Sequence, residues 1–64
     1  MLVNGKALDI PSGTTILQLL ERLGICHEKV VVEVNLQIIA KEDYQEMLLH
    51  EGDKVEIVSF VGGG

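Results

Sequence analysis

With 64 residues, the chain reads as a single domain over residues 1–64, near the lower size limit for folding without disulfide or metal staples. Ten acidic residues against five basic ones leave a net charge of −5, and Tyr44 and Phe60 are its only aromatics. That balance excludes nucleic-acid binding by base stacking or phosphate steering and favours a protein partner with a basic surface. A hydrophobic share of 47% is ample for a small core and excludes intrinsic disorder, but no residues are spare for the walls of a deep catalytic cleft. Cys26 has no cysteine to pair with, so a reducing cytosol is the expected setting. The longest apolar runs, such as Val30-Val31-Val32, are far too short for a signal peptide or a membrane span. The expected location is therefore cytoplasmic, with no membrane contact.

In chain order, Met1-Leu2-Val3, Asn4-Gly5 and Lys6 to Ile10 form a predicted hairpin. Asn-Gly suits a type I′ turn, whose two central residues need positive φ. Pro11-Ser12-Gly13 closes the second strand. Thr15-x-x-Gln18 is a capping box that opens a helix over 15–23. Ile16, Leu19, Leu20 and Leu23 fall at i, i+3, i+4 and i+7 on one apolar face, and Gly24 is placed for a left-handed stop on which Ile25 packs back. A valine-rich strand follows from Lys29 to Val34, then a shorter one at Ile38-Ile39-Ala40. Lys41 to Tyr44 reads as a polar helical turn, Met47-Leu48-Leu49 as extended or buried chain, and Glu51-Gly52-Asp53 as a turn. Lys54 to Phe60 is the last strand and runs into Gly62-Gly63-Gly64. The order ββαβ(β)β predicts an α+β domain with one main helix packed on one face of a mixed sheet.

The chemistry-bearing residues are sparse. No glycine pattern makes a phosphate cradle. His27 and His50 stand 23 positions apart with no metal-ligand spacing around them, so they read as surface histidines and no metal or bound cofactor is expected. Cys26, just after the helix stop, reads as a small apolar filler, and Glu42, Asp43 and Glu46 as a solvated loop. The glycine tail is different. An α-carboxyl is ionised at neutral pH, so Gly64 would present an anionic oxygen nucleophile. Attack on the α-phosphate of ATP held by another protein needs an unhindered acyl carbon on a chain thin enough to thread a closed site. Gly62-Gly63-Gly64 meets both needs, whereas a merely frayed end is the plain alternative. As no side chain anchors them, these three glycines are expected to be irregular and the most mobile part of the isolated protein.

The Asn4-Gly5 hairpin, the Thr15-to-Gly24 helix, the strand ending at Val34-Asn35 and above all the stretch from Glu51 to Gly64 resemble the ThiS family, ubiquitin-like sulfur carriers of thiamine biosynthesis. The resemblance covers the whole chain. Family members often carry Asn-Gly where Asn35-Leu36 stands here, and a Pro-Arg pair near Ala40-Lys41. Membership implies a ubiquitin-like β-grasp fold and a protein cosubstrate rather than an enzyme. Gly64 would be adenylated, at the expense of ATP, by an E1-like (ThiF-like) enzyme. It would then be converted to a thiocarboxylate with sulfur from a donor such as a cysteine desulfurase, and donate that sulfur to a ThiG-like thiazole synthase. Gly62 and Gly63 would be the flexible lead into those sites, and the isolated carrier would be a monomer. Three other functions stay open: the small subunit of molybdopterin synthase, a ubiquitin-like protein modifier, and a binding module with an inert tail.

Strand alternation adds a surface to this picture. Val55 and Ile57 point to the core, which leaves Lys54, Glu56, Val58 and Phe60 on the outer face. Glu33 outside puts Val31 there too, and Val3 inside puts Leu2 there. With the first strand beside the last, Leu2, Val31, Val58 and Phe60 are expected to form one apolar, partner-binding patch at the root of the tail. The alternative is that loop 36–50 folds over them as a second small core.

Overall fold

The computed structural model describes residues Met1–Phe60; the expected mobility of Gly62-Gly63-Gly64 lies outside the described residues. Five strands and one α-helix follow in the order β1 (Leu2–Val3), β2 (Lys6–Ala7), α1 (Ile16–Leu23), β3 (Val30–Val34), β4 (Gln37–Ile39) and β5 (Lys54–Ser59). Short 3-10 turns at His27–Lys29 and Lys41–Asp43 fill the connections. The sheet order is β2-β1-β5-β3-β4, and β1 runs parallel to β5 while every other pair is antiparallel. The last strand is thus the central one, flanked by the first and third.

Each element has a local cause. At Asn4-Gly5 both residues have positive φ, 51° and 82°, as a type I′ turn demands. The second strand is shorter than Lys6 to Ile10. Its pairing stops at Ala7, because Ile10 turns into the core and Pro11 has no N–H to donate. The helix opens on a full capping box: Thr15 Oγ1 accepts from the Gln18 N–H at 3.1 Å and Gln18 Oε1 accepts from the Thr15 N–H at 2.9 Å. It closes at Gly24, whose φ of 72° lets the Ile25 N–H reach the Leu20 carbonyl at 2.9 Å and the Gly24 N–H the Glu21 carbonyl at 3.1 Å.

Ile16, Leu19 and Leu20 are fully buried against the sheet, each stabilising the fold by about 1.5–3 kcal/mol. Leu23, expected on the same stripe, is 38% exposed because it sits in the last turn, beyond the sheet's cover. Val30, Val32 and Val34 alternate inward with Val55 and Ile57, and Val3, Ile10 and Leu49 complete the core. Tyr44 is also buried; its hydroxyl accepts the Val32 N–H at 3.2 Å. The segment from Tyr44 to Leu49 passes under the helix start, where the Tyr44 and Met47 carbonyls accept the N–H groups of Leu17 and Ile16 at 2.9 and 3.3 Å. Those donors have no partner inside the helix, so the loop is held by the helix's own unmet valences. It therefore packs on the helix side and leaves the opposite face of the sheet open.

Candidate functional site

The site is built around the exit of β5. Two turn asparagines position that strand from opposite sides. Asn4, at the end of β1, accepts the Ile57 N–H on Oδ1 at 2.7 Å and donates Nδ2 to the Ile57 carbonyl at 3.3 Å, so its amide supplies the next rung after the two-residue strand runs out. Asn35, between β3 and β4, accepts the Lys54 N–H on Oδ1 at 3.0 Å and donates Nδ2 to Asp53 at 3.0 Å. Partial burial pushes the Asp53 carboxyl up. The His50 N–H and the Asn35 amide, helped by nearby positive charge at His50 and the N-terminus, outweigh it and hold the group below its ordinary value.

Beyond Ser59 the Phe60 N–H donates to the Lys29 carbonyl at 3.2 Å, the last described rung before the glycines. Lys41 closes over this point. Its Nζ lies 5.1 Å from the centre of the Phe60 ring and donates to the Glu28 carbonyl at 2.9 Å. The root of the tail is therefore an aromatic ring held under a cation, with one face of the sheet running up to it.

On that outer face Val31 lies opposite Val58, and Val58 and Phe60 are 53% and 55% exposed. Leu2 does not join them. The parallel register sets it opposite Lys54, four positions before Val58, or about 13 Å away at some 3.3 Å per residue. The patch expected from alternation is accordingly Val31, Val58 and Phe60, with Leu2 exposed at the far end. Alternation assigns the faces, but it cannot fix how far along β5 the short first strand reaches. Ile38 lies on the same face without having been expected there: a two-residue turn at Asn35-Leu36 places it opposite Glu33, and it is 71% exposed.

Gly62, Gly63 and Gly64 lie outside the described residues. Cys26 is exposed, not a core filler: the Schellman turn carries the chain outward after Ile25, and the thiol borders a shallow hollow of about 320 Å³ with Lys29 and Ser59. His27 and His50 are both exposed, and among the described residues no three His, Cys, Asp or Glu side chains gather as a metal site would require. Among the described residues no helix is long and apolar enough to cross a membrane.

A mixed five-stranded sheet, first strand beside last, with one capped helix across its inner face, is the architecture of the ubiquitin-like β-grasp proteins. Within that class the assignment is specific: the ThiS family model matches residues 1–64, and the chain belongs to the ThiS family. A thiazole synthase from Paramagnetospirillum magneticum is 41% identical over the whole chain, which spans only 20% of that protein's length. The sulfur carrier protein ThiS of Bacillus subtilis is 44% identical over 97% of the chain and 96% of its own length. The crystal structure of a ThiS from Geobacter metallireducens superposes with a TM-score of 0.79 at 32% identity, covering 98% of this chain and 96% of that one.

Proposed function

We propose that this protein is a sulfur carrier for thiazole formation in thiamine biosynthesis, and that it acts as a cosubstrate of other enzymes. The observation that carries this reading is the family match through Gly64, together with near full-length likeness to a free-standing ThiS. In the reaction proposed, a carboxylate oxygen of Gly64 attacks the α-phosphorus of ATP in an E1-like enzyme, and pyrophosphate leaves with the broken P–O bond. A sulfide equivalent then attacks the acyl carbon and expels AMP, leaving a thiocarboxylate. The thiazole synthase takes that sulfur; the 41% identical thiazole synthase, of which this chain matches a fifth, supports pairing the two activities. Val31, Val58 and Phe60 form the docking face beside the tail, while Gly62 and Gly63 pass through the entrance to each active site.

The test is intact mass after incubation with ATP, a ThiF-like enzyme and a sulfur donor. The full chain is expected to gain the difference between one sulfur and one oxygen, and the Gly64 deletion to stay unchanged with its circular dichroism intact. Sulfur carried by the deletion variant, for instance as a persulfide on Cys26, overturns the proposal.

A further inference from the structure

We propose that the outer face of the sheet receives a partner surface in which one arginine is set among apolar side chains, and that Glu33 and Glu56 read that arginine. This deepens the carrier reading, from which it takes only the identity of the two partners used in the test. The register puts Glu33 on β3 directly opposite Glu56 on β5, so two carboxylates share one rung of the outer face. Like charges placed directly opposite work against the sheet. Among the described residues no salt bridge relieves either of them, although Lys54 lies on the same face one outward position before Glu56.

The surroundings decide what the pair is for. The next rung toward the tail is Val31 opposite Val58, and the next strand brings exposed Ile38 directly beside Glu33. Phe60 ends the row. The acidic pair has Lys54 on one side and, toward β4 and the exit of β5, apolar side chains that water covers only in the free protein. A partner of matching shape would bury the apolar rim and leave the carboxylates needing a cation. Opposed side chains in a sheet stand roughly 5 Å apart at their Cβ atoms. A guanidinium, with five donors in a rigid plane and weaker hydration than an ammonium, is the cation better suited to meet both carboxylates in a buried interface. The occupant is therefore a protein surface with arginine at its centre, and the chain's net charge of −5 favours its approach.

The experiment measures calorimetric affinity of the chain for a ThiF-like enzyme and for a ThiG-like thiazole synthase at low and high salt. Wild type, Glu33→Gln, Glu56→Gln and the double variant are compared, with urea midpoints for each. The expected result is weakening by about tenfold or more toward at least one partner in each single variant, with the double variant little worse because both acids serve one arginine. The salt dependence should flatten, while the urea midpoints hold or rise. Unchanged affinity and salt dependence toward both partners overturn the inference, as does a clear fall in midpoint, which would make the pair structural. Thiocarboxylate formation at saturating partner separates the two readings. If wild type gains sulfur and the glutamine variants bind as tightly as wild type, only the arginine assignment fails. If wild type neither binds nor gains sulfur, both fail.

Discussion

Replacing Leu36 with glycine will stabilise this domain. Leu36 occupies the second position of the β3–β4 turn at a φ of 71°, and its side chain is 88% exposed. A left-handed conformation costs a residue with a Cβ about 1–2 kcal/mol, and glycine escapes that cost. The greater freedom of glycine in the unfolded chain returns roughly 0.5–1 kcal/mol of it. Burial contributes almost nothing, since the side chain lies in water. The net gain is about 0.5–1 kcal/mol, which in so small a domain raises the melting temperature by some 2–8 °C. Urea unfolding followed by far-ultraviolet circular dichroism should show a higher midpoint at an unchanged m-value. The converse change at the matching position of the first hairpin, Gly5→Leu, should lower the midpoint by a similar amount, because Gly5 has a φ of 82° and open space around it. A midpoint for Leu36→Gly at or below wild type would refute the reasoning.

Tyr44→Phe removes the buried acceptor of the Val32 N–H and should cost about 1–3 kcal/mol, read as a lower urea midpoint; a change within error would mean that another group takes the donor. Asp53 governs a share of the acid limb. Its carboxyl is held below the ordinary 3.8, so it binds a proton less readily folded than unfolded. The stability it contributes is present above the unfolded value and is lost as pH falls through the lower folded one. Asp53→Asn should therefore show a smaller drop in urea midpoint than wild type on acidification from about pH 5 to below 3, and superimposable profiles would refute the assignment.

The helix is legible in the sequence because its signals are local. A cap, a four-residue apolar stripe and a glycine stop act within one element and need nothing from the rest of the chain. The faces of β3 and β5 are legible for the same reason, since Glu33 and Glu56 mark the outer side of each strand by simple alternation. What sequence patterns miss depends on distant partners. Tyr44 looks like a member of a polar turn, and only the open N–H groups at the helix start draw its segment inward. Leu2 takes the right face but not the expected neighbours, because register between β1 and β5 is settled by Asn4 and Asp53, residues some fifty positions apart. Cys26 is no filler since a Schellman turn sends the chain outward one residue after Ile25. The Asn35-Leu36 turn keeps the geometry of Asn-Gly despite its leucine, because the Asn35 side chain is tied to Asp53 and Lys54.

The central position of β5 has a mechanical consequence. A force applied beyond Phe60 and directed along the strand meets rungs to β3 on one side and rungs to β1, extended by the Asn4 amide, on the other. Such a force loads those bonds together in shear. Had the strand lain at an edge and been pulled sideways, the same bonds would break in succession, each resisting with only about 0.5–1.5 kcal/mol. The central strand is thus held more firmly against a pull along its axis than against lateral peeling, and the sheet around it yields to such a pull only when the rungs on both sides fail together.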